Sequence, residues 1–360
     1  MTVADPVDWA LAERVARRVA GRETLATSYL GESLQPDFIA VTAEAEALVA
    51  DHTGLRAPGP ATAQVLDRGG WVSANVTSMQ RMLAPLINRI GERLSHSPVA
   101  SIGRRVAGTE MGVLLGFMAQ RVLGQYDLLV PSENGSNAGD SPDGDAVYYV
   151  GPNILALEKR FAFPPRDFRR WIALHEVTHR AQFTGVPWLK PYFLSLVEEA
   201  LTMVDPDPRR LAQAMGRALD EVRRGRNPLD DGGIVGLLAS PEQRGVLAKV
   251  QALMSLLEGH GNAVMNELGR RHVGSQERMN RVLQARRRSR GLTGVVYKLL
   301  GIDAKMRQYE VGEKFVAGVE REAGPRGIDA AWRGAESLPT VDELTAPGRW
   351  LARVGSTTAA

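Results

Sequence analysis

The stretch Arg169–Phe183 reads R-R-W-I-A-L-H-E-V-T-H-R-A-Q-F, and within it His175, Glu176 and His179 spell H-E-x-x-H. Residues four apart share one face of a helix, so both imidazoles can reach a single metal ion. Glu176 is one step round from His175, close enough to touch a water on that ion without being a ligand itself. Two neutral nitrogen ligands, an open coordination position and a carboxylate that takes a proton form a set able to activate water. The flanks support a helix. Pro164 and Pro165 stand before it, Asp167 is the expected N-cap, an apolar-rich run follows, and Gly185 and Pro187 close it. A bare H-E-x-x-H can also be two ordinary helix histidines satisfied by carbonyls. Here only six histidines exist in the chain, and two of them fall four apart around a glutamate. That pattern favours a zinc site.

Composition narrows the chemistry further. The chain has 360 residues, 44% of them hydrophobic, enough for the core of one large domain or two smaller ones. Lys+Arg 44 against Asp+Glu 41 leaves a net charge of +3, too balanced to imply nucleic acid or another polyanion as partner. The absence of cysteine excludes disulfides, thiolate zinc ligands and a cysteine nucleophile, so any metal must be held by His, Asp or Glu. The opening M-T-V-A-D-P-V-D-W places acidic residues where a signal peptide needs basic ones. The longest apolar run, Met111–Ala119, is too short to span a bilayer. These features predict a soluble, cytoplasmic protein with no membrane partner.

Along the chain, the spacing predicts a fold that is mainly α with a small β-sheet (α+β). Asp8 caps an amphipathic helix that ends at Gly21, and a second helix covers 37–51. Residues 58–70 read as connection. Trp71–Leu94 is helical, with a kink expected at Pro85. Thr109–Leu123 follows, and its Gly112 and Gly116 point to close helix packing. Ser132–Asp145 is a polar surface loop, without the G-K-[ST] of a phosphate loop or the register of a calcium loop. Ala146–Val150 is the best strand candidate. Further helices are expected at Pro191–Val204, Arg209–Arg224 and Pro241–Leu268, and the basic run Arg278–Arg290 reads as a solvated face. An N-terminal helical region, 1–130, thus precedes a catalytic region, 131–360, and the two are expected to form one compact unit.

Catalytic zinc usually takes three protein ligands. The longer motif H-E-x-x-H-x-x-G-x-x-H is absent, because position 182 is Gln and position 185 is Gly. The third ligand must therefore be distant. Glu258, in L-L-E-G-H-G-N, is favoured, with Asn262 one turn on to orient an imidazole. Glu199, at a shorter spacing, and His260, on the other side of the same helix, are the alternatives. Gly259 and Gly261 beside Glu258 imply that this helix is pressed against the motif helix.

Several segments resemble a known family. Y-V-G-P-N-I at 149–154, F-R-R-W-I-A-L-H-E-V-T-H-R-A-Q-F at 168–183, V-P-W-L at 186–189, L-M-S-L-L-E-G-H at 253–260 and K-M-R-Q-Y-E-V-G-E-K-F at 305–315 are similar to zincin-like metallopeptidases of high-GC bacteria. Within them they most resemble the branch associated with biosynthesis of a deazaflavin coenzyme. The resemblance covers nearly the whole chain. It implies a zincin-like fold and a zinc hydrolase, and it supports Glu258, since the position of His260 is often aromatic in the family. Relatives tend to carry Asp where this chain has Asn262.

Residues and resemblance together lead to the expectation of a Zn2+-dependent peptidase or amidase, with His175, His179 and Glu258 as ligands and Glu176 as general base. By residue type, His260, Tyr192 and Tyr309 are candidates to stabilise the oxyanion. The rival is a catalytically silent zincin-fold scaffold or partner-binding protein. An intact Glu176 weighs against it, because a structural site has no use for a base.

Overall fold

A three-stranded sheet and the helices laid on it set the position of the H-E-x-x-H segment. The computed structural model describes residues 5–21, 29–95, 100–128, 145–202, 241–288 and 302–356. The helix expected at Arg209–Arg224 and most of the Ser132–Asp145 loop lie outside these residues. By contact, the chain divides into a first unit, Met1–Lys190 with Val264–Val282, and a second, Pro191–Ala263 with Leu283–Ala360.

The first unit opens with α1 (Trp9–Ala20), short α2 (Tyr29–Glu32), α3 (Leu34–Thr53), β1 (Thr62–Leu66), α4 (Arg68–Ser95) and α5 (Ala100–Ala119). Asp8 caps α1 as expected, its carboxylate accepting the Leu11 N–H at 2.9 Å. The glycines of α5 also serve as expected. A Cβ on Gly112 would come within 2.5 Å of the Ala12 carbonyl oxygen, and one on Gly116 within 2.6 Å of that of Ala16.

Strands β2 (Gly124–Asp127) and β3 (Ala146–Val150) complete the sheet in the order β1-β3-β2. β1 runs parallel to β3, with Thr62 opposite Ala146 and Leu66 opposite Val150. β2 runs antiparallel, with Gly124 opposite Tyr149 and Asp127 opposite Ala146. β3 is buried along its whole length, as its apolar sequence requires of a central strand. Tyr149 stacks on Phe38 with ring centroids 3.9 Å apart and shares a 2.8 Å hydrogen bond with Thr42.

Sequence reading treats 58–70 as connection, yet β1 lies inside it. Its outer edge is completed by a side chain: the Gln35 amide oxygen accepts the Val65 N–H and its nitrogen donates to the Ala63 carbonyl, both at 2.8 Å. A single glutamine thus takes the place of a neighbouring strand. Tertiary pairing of this kind leaves no local signal in T-A-Q-V-L.

Helices α6 (Gly151–Phe161) and α7 (Pro165–Gly185) follow, and α7 carries the motif. α7 begins two residues before the expected cap. Pro165 occupies its first turn, where the missing N–H is not needed and the fixed φ suits a helix. Asp167 instead accepts from the Ser275 N–H at 3.0 Å and hydroxyl at 2.8 Å. Three arginines then fix α7 as a rod. Arg169 makes a fork to Glu158 at 2.9 and 3.1 Å, with burial raising the Glu158 pKa against the pull of the guanidinium. Arg170 pairs with Glu44 and donates to the His272 carbonyl at 2.7 Å. Arg180, 1% exposed, is held by Asp145, Glu46 and the Gly59 carbonyl.

α8 (Leu189–Thr202) begins at the end of the first unit, and α9 (Pro241–His272) contributes its residues from Val264 onward to that unit. α10 (Gln276–Arg288) belongs mainly to the first unit. In the second unit, α11 (Ile302–Ala323), two 3-10 turns, α12 (Val341–Leu344) and α13 (Pro347–Ser356) enclose a core of Leu256, Phe315, Val316, Val319, Ile328 and Trp350. Gly259 has its close neighbour here, which corrects the expectation above. Its Cβ would fall inside the backbone of Gly312 on α11, so the glycine serves α9–α11 packing. The protein is mainly helical with one small sheet. No helix among the described residues is long and apolar enough to cross a membrane.

Candidate metal centre

One turn of α7 places His175 and His179 side by side, their ring centroids 4.6 Å apart and their planes at 82°. The two Nε2 atoms face each other at 3.2 Å. Two nitrogens bound tetrahedrally to one zinc at ~2.05 Å stand ~3.3 Å apart. The pair is therefore already set at the spacing one ion requires, and nitrogen donors without thiolates suit zinc. On its other side, His179 meets a residue of its own helix: Nδ1 lies 3.0 Å from Oε1 of Gln182, which is fully buried.

Glu176 is 8% exposed and reaches the sheet at β2. Its Oε2 accepts the Tyr126 N–H at 3.2 Å. Tyr126 lies on β2, at the end of the described strand order, and this N–H points outward from the sheet. Successive residues of β2 use opposite faces. Gln125 and Asp127 meet α4, through Trp71 at 2.8 Å and Ser78 at 2.9 Å. Gly124 and Tyr126 meet α7. A Cβ on Gly124 would come 2.6 Å from Cγ of Glu176 and 2.8 Å from its Oε1, so the carboxylate fits because this position has no side chain. The Tyr126 ring stacks on Phe183, one turn beyond His179, with centroids 6.1 Å apart. Its hydroxyl is buried, and burial, with the nearby Asp145 charge, raises its pKa and keeps it protonated.

The remaining candidates are placed as follows. Glu258 lies on α9, 8% exposed, less than two turns before that helix enters the first unit at Val264. His260 is buried and packs edge-on against Trp332, with centroids 5.1 Å apart at 71°. Glu199 is exposed on α8. Tyr192, on the same helix, has its pKa raised by burial and then by Glu199. The side chain of Tyr309 lies outside the described ones. Asn262 is buried, and its amide nitrogen has no hydrogen-bond partner among the described residues. For His179, Gln182 on the same helix stands at hydrogen-bond distance from Nδ1.

Three functional positions escape a sequence reading: Gln182, Gly124 and Tyr126. The first had a signal. Position 182 is three residues after His179 and shares its face, although in the sequence it stands out only as the place of the glycine in a longer motif. The other two had none, since they lie about 50 residues from Glu176 in sequence and reach it only through strand pairing.

A family model described as zincin-like metallopeptidase matches residues 7–351. A crystal structure from Chloroflexus aurantiacus, described as that of a proposed hydrolase with a novel fold, is similar to the protein at 31% sequence identity and a TM-score of 0.70. That similarity covers 97% of this chain and 99% of the other. A comparison with curated proteins finds no match. The match over nearly the whole chain, together with the paired imidazoles and the seated glutamate, places the protein in the zincin-like metallopeptidase family.

Proposed function

We propose that the protein is a zinc-dependent hydrolase of peptide or other amide bonds, with His175, His179 and Glu258 as ligands and Glu176 as general base. The carrying observation is the pair of facing Nε2 atoms with a carboxylate seated beside them. Support for Glu258 comes from its chemistry, since one carboxylate added to two imidazoles completes a three-ligand set known for catalytic zinc. Helix α9, which bears Glu258, is also tied at its far end to α7, through Arg170 and the His272 carbonyl.

Bound zinc would polarise the scissile carbonyl and make the attacking water more acidic. The chain supplies the rest. Glu176 accepts the proton of that water at one carboxylate oxygen and passes it to the leaving nitrogen. The Tyr126 amide holds the other oxygen, so the base has a fixed address rather than a free rotamer. His175 and His179 remain neutral donors, one lone pair each.

Metal analysis combined with a peptide-library cleavage assay tests this reading. Glu176→Gln keeps size and shape but cannot take a proton, so zinc should stay and turnover should fall by at least about a hundredfold. Unchanged turnover would place the chemistry elsewhere. A wild-type protein inactive across broad peptide and amide panels would leave a zinc-holding scaffold as the better description. Gly124→Ala probes the same base from the strand side. The added methyl should push the carboxylate aside, keep zinc in place and lower turnover by about ten- to a hundredfold, the scale of small misplacements. Wild-type kinetics in that variant would mean that the Glu176 seat does not matter.

A further inference from the structure

The fully buried amide of Gln182 is unusual in a position that a hydrophobic residue could fill at lower cost. Burying a glutamine sacrifices side-chain entropy and hydration unless its polar atoms are bonded. Here Oε1 lies 3.0 Å from Nδ1 of His179. A neutral imidazole carries its proton on one nitrogen and its lone pair on the other. With the proton on Nδ1 and given to the amide oxygen, the lone pair sits on Nε2, the atom that faces His175. Both residues ride on α7, three positions apart, so the contact is set by the helix and moves with it.

We infer that Gln182 is the positioning residue of the metal site, fixing the metal-binding tautomer of His179 and, because it is uncharged, holding metal affinity below what a carboxylate would give. The inference rests on the zinc reading above. A carboxylate in the same place would draw the Nδ1 proton towards itself and make Nε2 a stronger donor. An amide orients the ring without adding negative charge and leaves a bound cation more electron-deficient, which favours Lewis acidity over tight retention.

The test is zinc affinity, measured by competition with a chromophoric chelator on the full chain, with no substrate needed. Gln182→Met keeps length and removes the acceptor, and it should raise the zinc Kd by about 10–100-fold. Gln182→Glu restores an acceptor with charge and should bind zinc more tightly than wild type. Circular dichroism and urea unfolding of the metal-free proteins, run alongside, separate a folding defect from a binding one. A purely structural role would shift metal-free stability and leave Kd unchanged. Wild-type Kd in Gln182→Met overturns the inference. So does a Gln182→Glu protein that binds no more tightly than wild type, a result that decides the matter even if the Met variant fails to fold. A wild-type protein that takes up no zinc would remove the zinc reading itself, an outcome distinct from the other two.

Discussion

Replacing His175 or His179 by alanine should strip the protein of metal. Wild type, purified and dialysed against metal-free buffer, is expected to retain about one zinc per chain, and each single variant close to none. The effect is large because the two imidazoles form a ligand pair supplied by a single helix, their Nε2 atoms 3.2 Å apart. Removing either leaves a lone nitrogen whose remaining partner must come from outside α7. Elemental analysis reads the result directly. Glu258→Gln should lower occupancy, since an amide oxygen is a poorer zinc ligand than a carboxylate, while Glu199→Gln, altering an exposed residue, should leave it intact. Full zinc in the His175→Ala/His179→Ala double variant would sink the metal assignment altogether.

How much of this was legible beforehand depended on how local each feature is. H-E-x-x-H names three residues on one helix, and helix periodicity alone brings them to one face, so His175, Glu176 and His179 could be read together without any tertiary knowledge. The capped α1, the glycine faces of α5 and the strand at 146–150 were legible for the same reason: each is a pattern within a dozen residues. β1 and β2 were not. T-A-Q-V-L and G-Q-Y-D are ordinary as sequence and become strands because β3 pairs with both, with Gln35 closing the outer edge of β1. Gly259 shows the opposite failure. A close approach was rightly inferred from a glycine in a helix, but sequence carries no information on which neighbour approaches, and the neighbour is Gly312. Gln182 shows a further limit: an amide three residues beyond His179 is ordinary as sequence, and only its burial against Nδ1 reveals an orienting contact on the motif helix itself.

Arg180 stands directly after His179, and its substitution should be the most damaging change to the fold that leaves every ligand in place. Its side chain is 1% exposed, and five hydrogen bonds run from it to Asp145, Glu46 and the Gly59 carbonyl. These partners come from the start of β3, from α3 and from the turn before β1, so one side chain holds the motif helix to three segments of the first unit. In Arg180→Met the apolar stem is roughly kept while two carboxylates lose their cation. Breaking a buried pair from one side typically costs about 3–5 kcal/mol, more than the intact pair contributes over an apolar replacement, because the abandoned charge stays buried. Urea unfolding at neutral pH should show a loss of that order. Two further results separate the abandoned charge from simple loss of packing. Adding Asp145→Asn to Arg180→Met should recover part of the stability, since it removes one of the orphaned carboxylates. Lowering the pH should narrow the gap to wild type, because an unpaired buried carboxylate can take up a proton instead of remaining charged. A gap that stays constant with pH and is unmoved by Asp145→Asn would assign the role of Arg180 to packing, with the carboxylates as bystanders.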